Sequence, residues 1–98
     1  MKAVPFLPAA RAEYLAAIEF YTGASVDLAE DFVEEVERGL ERIASFPGHG
    51  SPYHAGTRRV VLRRFPYDLV YREVGGAVHV VAVAHQRRSP YYWRKRLK

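Results

Sequence analysis

One histidine near the end of the chain stands beside cations that could hold a phosphate. His85 follows an apolar run, and Arg87 and Arg88 come almost directly after it. Because an imidazole titrates near neutral pH, a histidine in this setting can act as a general base. The alternative is a half-exposed histidine at a strand end, bonded to the neighbouring loop. We favour this alternative, since structural residues also acquire such neighbours.

A second basic stretch brackets one predicted strand. It contains Arg58, Arg59, Arg63 and Arg64. These cations form either a surface for an acidic partner or phosphates, or a solvated edge strand that its charges protect from aggregation. After residue 49 the chain has 11 Lys/Arg against 2 Asp/Glu, whereas the first 49 residues have 4 against 9. We therefore favour the functional interpretation and expect an anionic partner.

The C-terminal tail mixes aromatic and basic residues. Tyr91, Tyr92 and Trp93 are followed at once by Arg94, Lys95 and Arg96. Such a mixture can stack on bases or anchor an interface, or it can be a terminal helix packed on the sheet. Both interpretations can hold together, and they predict Trp93 as the anchor with Arg94 and Arg96 in solvent.

Several classes of site are excluded by the composition. The chain has no cysteine, so disulfides and cysteine–metal sites are absent and a reducing compartment is expected. His49 and His54 have no supporting carboxylate pattern, and there is no Gly-rich phosphate loop, so we expect no metal and no cofactor.

The longest apolar run, residues 80–84, is too short to cross a bilayer, and the start lacks a secretory pattern. We expect a cytoplasmic protein without membrane contact.

The N-terminal half predicts one strand and two helices. Residues 2–6 are expected as a short strand and residues 8–21 as a helix. Ser25 is a good N-cap for a second helix, which should extend to Phe46. The apolar face of that helix comprises Leu28, Phe32, Val36, Leu40 and Ile43, and its solvated face comprises Glu30, Glu34, Glu37 and Glu41. The short connection predicts an antiparallel helical hairpin.

The C-terminal half changes to the period of strands. Residues 58–64, 67–74 and 77–84 are predicted strands, and Gly75-Gly76 is a hairpin signal. The last of these strands is almost continuously apolar, so it is expected at the centre of the sheet. Residues 91–98 are predicted as a short helix. Residues 1–98 should therefore form one α+β domain, with an N-terminal strand, a helical hairpin on a largely antiparallel four-stranded sheet, and a short C-terminal helix.

The order and spacing of these pieces resemble a known family. The segments that carry the likeness include Ala12-Glu13-Tyr14, Phe20-Tyr21, Phe65-Pro66-Tyr67-Asp68-Leu69 and Ser89-Pro90-Tyr91-Tyr92-Trp93. Over nearly its whole length the chain is similar to the RelE/ParE superfamily, the toxins of type II toxin–antitoxin systems, which include plasmid stabilisation proteins. The resemblance implies an α+β toxin kept silent by a cognate antitoxin. RelE-like members cut mRNA in the ribosomal A site, whereas ParE-like members poison DNA gyrase and are not known as nucleases.

The resemblance to the RelE-like branch implies particular residue types at particular positions. Arg59 matches a basic residue of the second strand and Tyr92 matches a late tyrosine, while some nuclease relatives use a histidine near His85. These three are the candidate catalytic residues. Cations that the RelE-like branch would lead one to expect are missing at three positions, which hold Val61, Asp68 and Gln86. Because charge-assisted contacts to a phosphate are the strong ones, this loss argues against RelE-like cleavage.

We therefore predict a toxin that acts by binding an essential target, with DNA gyrase implied by the ParE-like branch. One alternative is a ribosome-dependent mRNA endonuclease, and another is a basic nucleic-acid-binding module without toxin activity. The expected protein partner is an acidic antitoxin. The residues predicted to bind target or antitoxin are Arg59, Arg63, Arg64, Arg87, Arg88, Trp93 and Arg94.

Overall fold

Two consecutive helices form the N-terminal half of the fold in the computed structural model, which describes residues 4–97. Helix α1 (Pro8–Ala24) has proline in its first turn, where a missing N–H costs nothing. Helix α2 (Val26–Ser45) follows after the single residue Ser25, whose Oγ accepts a hydrogen bond from the Leu28 amide at 3.3 Å. The predicted cap and the helical hairpin are thus both present.

The observed helix ends differ from the predicted ones. Helix α1 continues past Tyr21 to Ala24, because Thr22 turns its hydroxyl back to the Ile18 carbonyl at 2.7 Å and Gly23 is tolerated in the last turn. Helix α2 ends at Ser45, and Phe46 is 70% exposed rather than part of the apolar face. The rest of that face is as predicted. Phe32, Val36 and Ile43 are buried, and Leu28 and Leu40 pack against them.

Four antiparallel strands form one sheet in the order β1-β2-β3-β4. They are β1 (Ser51–Pro52), β2 (Arg58–Val61), β3 (Tyr67–Val74) and β4 (Ala77–His85). Gly75 and Gly76 have φ values of 58° and 82°, so they make the predicted β3–β4 hairpin turn. Strand β1 was not among the predicted strands. It pairs with β2 over two residues, Ser51 opposite Arg59 and Pro52 opposite Arg58.

The N-terminal segment is a single bridge rather than a strand. Phe6 pairs in parallel with Val80, through Leu7 N to Val80 O and Val80 N to Pro5 O, both at 2.9 Å. Pro5 lacks the N–H that would extend this ladder towards the N-terminus, and helix α1 begins at Pro8. The expected strand over residues 2–6 lies partly outside the described residues, because residues 2 and 3 precede them.

The prediction that residues 77–84 form the central strand was wrong. Strand β4 is the last in the sheet order, and among residues 4–97 its outer edge meets only the bridge at Phe6 and side chains from other elements. Strand β2 also ends earlier than predicted, at Val61. The amides of Arg63 and Arg64 bond to the carboxylate of Glu35 on α2, at 2.6 and 3.3 Å, instead of continuing the ladder.

Each face of the sheet has its own core. The helical hairpin covers one face, where Leu69, Tyr71, Val80 and Val83 meet the buried side chains of α1 and α2. The other face presents Val70, Val81, Ala82 and Ala84, which are covered by Trp93. The tail after β4 is a series of turns ending in a 3-10 helix (Arg94–Leu97), not the helix predicted from residue 91.

Candidate functional site

A cleft opens on the sheet face that the C-terminal tail covers. Side chains alternate along a strand, so Arg59 and Val61 of β2, Asp68 of β3 and Ala84 of β4 lie on the face opposite the helices. The loop after β4 closes the other side of the cleft, whose volume is about 320 Å³. The polar side chains that line it include Arg59, Asp68, His85, Gln86 and Arg88.

The cation on the cleft floor is already neutralised. Arg59 Nη1 lies 3.3 Å from Asp68 Oδ2, and its guanidinium stacks over the Tyr53 ring at 4.4 Å from the ring centre. Gln86 Nε2 donates to the other oxygen, Asp68 Oδ1, at 3.1 Å. The Asp68 side chain is only 7% exposed. Asp68 and Gln86, two of the three residues that stand in place of RelE-like cations, are therefore bonded to each other. Asp68 also pairs with Arg59.

His85 lies at the mouth of the cleft with one ring nitrogen engaged. The Arg87 amide donates to His85 Nδ1 at 3.2 Å, and the ring packs edge-on against Tyr67 at 5.2 Å. A neutral imidazole that accepts at Nδ1 carries its proton on Nε2, so that nitrogen donates and does not accept. This geometry supports the strand-end interpretation of His85 over that of a general base.

Tyr92 is held outside the cleft lining. Its hydroxyl donates to Glu13 Oε2 at 2.8 Å, and its ring lies against the guanidinium of Arg88, 3.6 Å from the ring centre. Burial raises the pKa of Tyr92 well above its usual value, and the hydrogen bond and charge of Glu13 raise it further, against the opposing charges of Arg88 and Arg96. The phenol is therefore protonated at neutral pH.

Glu13 of α1 is the centre of a charged cluster that the sequence did not predict. Both its oxygens bond to Arg96, at 2.9 and 3.1 Å, and Oε1 also accepts from the Val83 amide at 3.1 Å. Arg96 Nη1 reaches the Val81 carbonyl at 3.0 Å. The pKa of Arg96 is raised, first by its hydrogen bonds to Glu13 and also by the charge of that carboxylate, against the effect of burial. The two side chains thus fasten the tail to α1 and to the outer edge of β4.

The tail residues differ from their predicted positions. Trp93 is 1% exposed and packs on Val70 and Ala82, so it anchors the tail as predicted but is too buried to contact a partner. Arg94 is exposed beside Tyr91, as expected. Arg96 was predicted in solvent and is instead half-buried, because Glu13 and the Val81 carbonyl pair its guanidinium.

The predicted binding residues do not form one surface. Arg59 and Arg88 line the cleft, whereas Arg63 and Arg64 line a separate depression against α2. Arg64 pairs there with Asp31 at 3.2 Å. Arg87 is exposed and makes no ion pair with any residue among 4–97, and its sequence neighbours Gln86 and Arg88 line the cleft. Two charged surfaces therefore exist, one at the cleft and one at the end of β2.

No group of three or more His, Asp and Glu side chains is arranged to hold a metal ion within residues 4–97. Neither helix among those residues is both long and apolar enough to cross a membrane.

Comparison with known proteins decides the family. A family model described as "ParE toxin of type II toxin-antitoxin system, parDE" matches residues 4–90. The chain belongs to this ParE toxin family. The RelE/ParE resemblance seen in the sequence is therefore confirmed, and the toxin role with it.

The solved structures agree with this ParE toxin fold. A structure titled "Chromosomal ParDE TA system from P. aeruginosa" superposes with a TM-score of 0.72 and 19% identity, covering 87% of this chain and 96% of that one. This likeness confirms the α+β fold. No curated protein matches the sequence.

Proposed function

We propose that this ParE-family toxin acts by binding an essential target, with DNA gyrase as the target, and not by cleaving mRNA. The supporting observation is the composition of the cleft. Its floor places Val61 and Asp68 opposite each other across β2 and β3, and Gln86 bonds to Asp68. An apolar side chain, a carboxylate and an amide therefore occupy the positions at which the RelE-like branch has cations.

Phosphoryl transfer at such a floor is electrostatically unfavourable. A scissile phosphate gathers negative charge in the transition state and needs preorganised cations around it. Here the Asp68 carboxylate would repel that charge, and it already occupies Arg59 at 3.3 Å. Each missing charge-assisted contact costs about 1.5–3 kcal/mol, so the loss of three is a large handicap.

The proton-transfer groups are also unsuited to cleavage. Tyr92 would have to leave Glu13 before its hydroxyl could meet a leaving group. His85 uses Nδ1 to accept from the Arg87 amide. One observation favours the rival endonuclease function, since Arg59, His85 and Arg88 line the same cleft. That rival requires the Arg59–Asp68 pair to open.

A paired assay separates the two targets. Purified toxin is added to a gyrase supercoiling reaction and, separately, to ribosomes programmed with mRNA. We expect inhibition of gyrase and no codon-positioned cleavage. Tyr92→Phe and His85→Ala should leave the gyrase effect in place. Cleavage on the ribosome that these two variants abolish would instead establish the RelE-like function.

Neutralisation by an acidic antitoxin segment is the second part of the proposal. Arg87 makes no ion pair within residues 4–97, and Arg88 has only a long one, 3.7 Å to Glu13, with its own side chain 55% exposed. Both cations are therefore available to the carboxylates of a partner. A field of this sign speeds the association of an acidic segment and is screened by salt.

The test is calorimetric titration of antitoxin into toxin at two salt concentrations. We expect weaker binding at high salt, and weaker binding again in the double variant Arg87→Glu/Arg88→Glu. The control is Arg11→Glu, which reverses one exposed charge at the start of α1. The electrostatic proposal is wrong if all the affinities are equal.

A further inference from the structure

Tyr91 is the most exposed aromatic side chain of the C-terminal tail. Trp93 is 1% exposed and Tyr92 donates its hydroxyl to Glu13, whereas Tyr91 is 53% exposed. The Tyr91 amide donates to Ser89 Oγ at 3.3 Å, but its hydroxyl makes no hydrogen bond among residues 4–97. A large ring that stays at the surface without such a bond is available to a partner.

A line of packed rings supports Tyr91 from the core. Its ring centre lies 5.0 Å from that of His54, which in turn lies 4.6 Å from the ring of Tyr53. Tyr53 then packs 6.0 Å from the buried Trp93. The turn that carries His54 is fixed, because the amide and hydroxyl of Thr57 both donate to its carbonyl, at 3.2 and 2.7 Å. A ring held in this way loses little conformational entropy when another flat group stacks on it.

The surroundings of Tyr91 are strongly basic. The Arg94 guanidinium lies 5.6 Å from the centre of the Tyr91 ring, and Lys95 follows directly in the chain. Both cations are exposed, and neither makes an ion pair with any residue among 4–97. No acidic residue follows Glu73 in the sequence. The tail therefore presents uncompensated positive charge beside an exposed ring.

An exposed aromatic ring beside such cations is the combination that binds an unpaired nucleobase and its phosphates. An acidic protein segment would use the cations without the ring, and an apolar one would use the ring without the cations. We propose that Tyr91 stacks on an unpaired base of single-stranded DNA, while Arg94 and Lys95 contact the adjacent phosphates. The proposal rests on the proposed function, because gyrase brings the DNA to the toxin. It involves no cleavage and uses neither His85 nor Tyr92.

The probe is a pair of labelled oligomers of about eight nucleotides, a length that one single-strand-binding domain covers. One is oligodeoxyuridylate, and the other has the same phosphates and sugars without the bases. Binding of each to the full chain is measured by fluorescence anisotropy. Because the two oligomers carry the same charge, a preference between them must come from the bases. We expect oligodeoxyuridylate to bind about tenfold more tightly, since stacking one base on an aromatic ring has about this effect. Equal binding of the two oligomers would overturn the proposal.

Substitutions at Tyr91 locate the stacking. Tyr91→Leu keeps an apolar side chain without the ring, so the two oligomers should bind about equally, whereas Tyr91→Phe should keep the preference. The matched control is Phe20→Leu, which removes a ring that is 71% exposed on α1 and should change nothing. Unchanged emission from Trp93 in Tyr91→Leu shows that the tail is still folded. A preference that survives in Tyr91→Leu means that the base stacks elsewhere and the proposal is wrong.

Substitutions at the cations test the phosphate contacts. Arg94→Gln/Lys95→Gln should weaken the binding of both oligomers. It should also lower the slope of log Kd against log salt by about 1.4, because each phosphate contact on a single strand contributes about 0.7. Arg38→Gln/Arg42→Gln removes the same charge from α2, where both residues are exposed, and should leave the slope unchanged. Equal effects of the two double variants would show that only net charge matters and would overturn the phosphate contacts.

Two further measurements identify the ligand and separate this proposal from the target. Oligouridylate, which adds only the 2′-hydroxyl groups, should bind no more tightly than oligodeoxyuridylate, and tighter binding would overturn DNA as the ligand. Gyrase inhibition is measured on the same preparations. Equal binding of the base-bearing and abasic oligomers with gyrase inhibition intact overturns the stacking site alone. A preference for the bases without gyrase inhibition overturns the target alone.

Discussion

Helices α1 and α2 cover one face of the sheet with apolar side chains, whereas the C-terminal tail covers the other with one tryptophan and a cluster of charges. On the helix side, Phe32, Val36 and Ile43 are completely buried. On the tail side, Trp93 is buried, and Glu13 ties Tyr92 and Arg96 to the edge of β4. Apolar packing carries no charge that pH could change, but the attachment of the tail depends on one carboxylate as well as on Trp93.

The difference has a functional consequence. The packing of the two helices on the sheet is needed for folding. The C-terminal tail covers the other face of the sheet and also carries the cations that we assign to partner binding. Arg96 is 17% exposed and pairs at 2.9 Å, while Arg88 is 55% exposed and pairs at 3.7 Å with the same Glu13. Two arginines on one carboxylate thus differ in burial and distance, which is why we expect Arg96 to act in structure and assign Arg88 to recognition.

The largest expected effect is on the helix side. Phe32→Ala removes a side chain that contacts the rings of Tyr21, Phe65 and Tyr67. We expect a loss of about 3–5 kcal/mol of unfolding free energy in denaturant titrations, as for other large-to-small core changes. Phe20→Ala, at a residue 71% exposed, is the control and should change little. A value near zero for Phe32→Ala would mean that the buried face of α2 is misassigned.

Glu13→Gln tests the tail side and should have the next largest effect. It leaves the half-buried Arg96 without its bidentate carboxylate, so we expect a loss of about 2–3 kcal/mol, from hydrogen bonds to a charged group. Trp93 is the single tryptophan, so its fluorescence reports on the tail. We expect a red-shifted emission in Glu13→Gln, and unchanged emission and stability in the control Glu19→Gln on the same helix. Unshifted emission would mean that Trp93 alone holds the tail.

These two variants also separate what the sequence could predict from what it could not. The face of α2 that contains Phe32 was predicted because helical periodicity places its residues on one side whatever they touch. The β3–β4 hairpin was predicted because Gly75 and Gly76 allow the positive φ values that the turn requires. Both signals are local, and local signals are present in a single sequence.

The charged cluster could not be predicted in the same way. Glu13 and Arg96 are 83 residues apart along the chain, and nothing in their neighbourhoods pairs them. The only signal for a special role of Glu13 was its rarity, because Glu19 is the only other acidic residue on α1. The predicted central position of β4 in the sheet was wrong for a related reason. An apolar strand predicts burial, and side chains and the bridge at Phe6 supply that burial as well as a neighbouring strand does.

Alkaline pH should remove a stabilising contribution that Tyr92 makes on the tail side. The pKa of Tyr92 is raised in the folded protein above its ordinary value of 10.0, so only the unfolded chain releases this proton just above that pH. The contribution of Tyr92 to the free energy of unfolding is complete below pH 10. It falls by about 1.4 kcal/mol per pH unit between the pKa of the unfolded chain and that of the folded protein.

Tyr92→Phe removes this contribution. Urea titrations at pH 8 and pH 11 give the free energy of unfolding at each pH. The decrease between the two should be about 1 kcal/mol smaller in the variant than in the wild type. Tyr14, Tyr21 and Tyr67 also have raised pKa values, but they contribute to both proteins alike. Equal losses in the two proteins would show that folding does not raise the pKa of Tyr92.

The smallest effect on stability should come from Arg88→Gln. Its ion pair with Glu13 is long and exposed, and its remaining contact is the Tyr92 ring, so we expect a loss below about 1 kcal/mol. Arg96→Gln, which removes the short pair to the same carboxylate, should cost more stability and red-shift the emission of Trp93.

Binding to antitoxin should show the reverse order, with the larger effect in Arg88→Gln. Arg88→Gln should slow association at low salt, with folding and emission unchanged, because its exposed charge is what an incoming carboxylate meets. If Arg88→Gln instead destabilises the fold as much as Arg96→Gln does, both arginines are structural, and the cleft mouth loses one of the two cations that we assign to recognition.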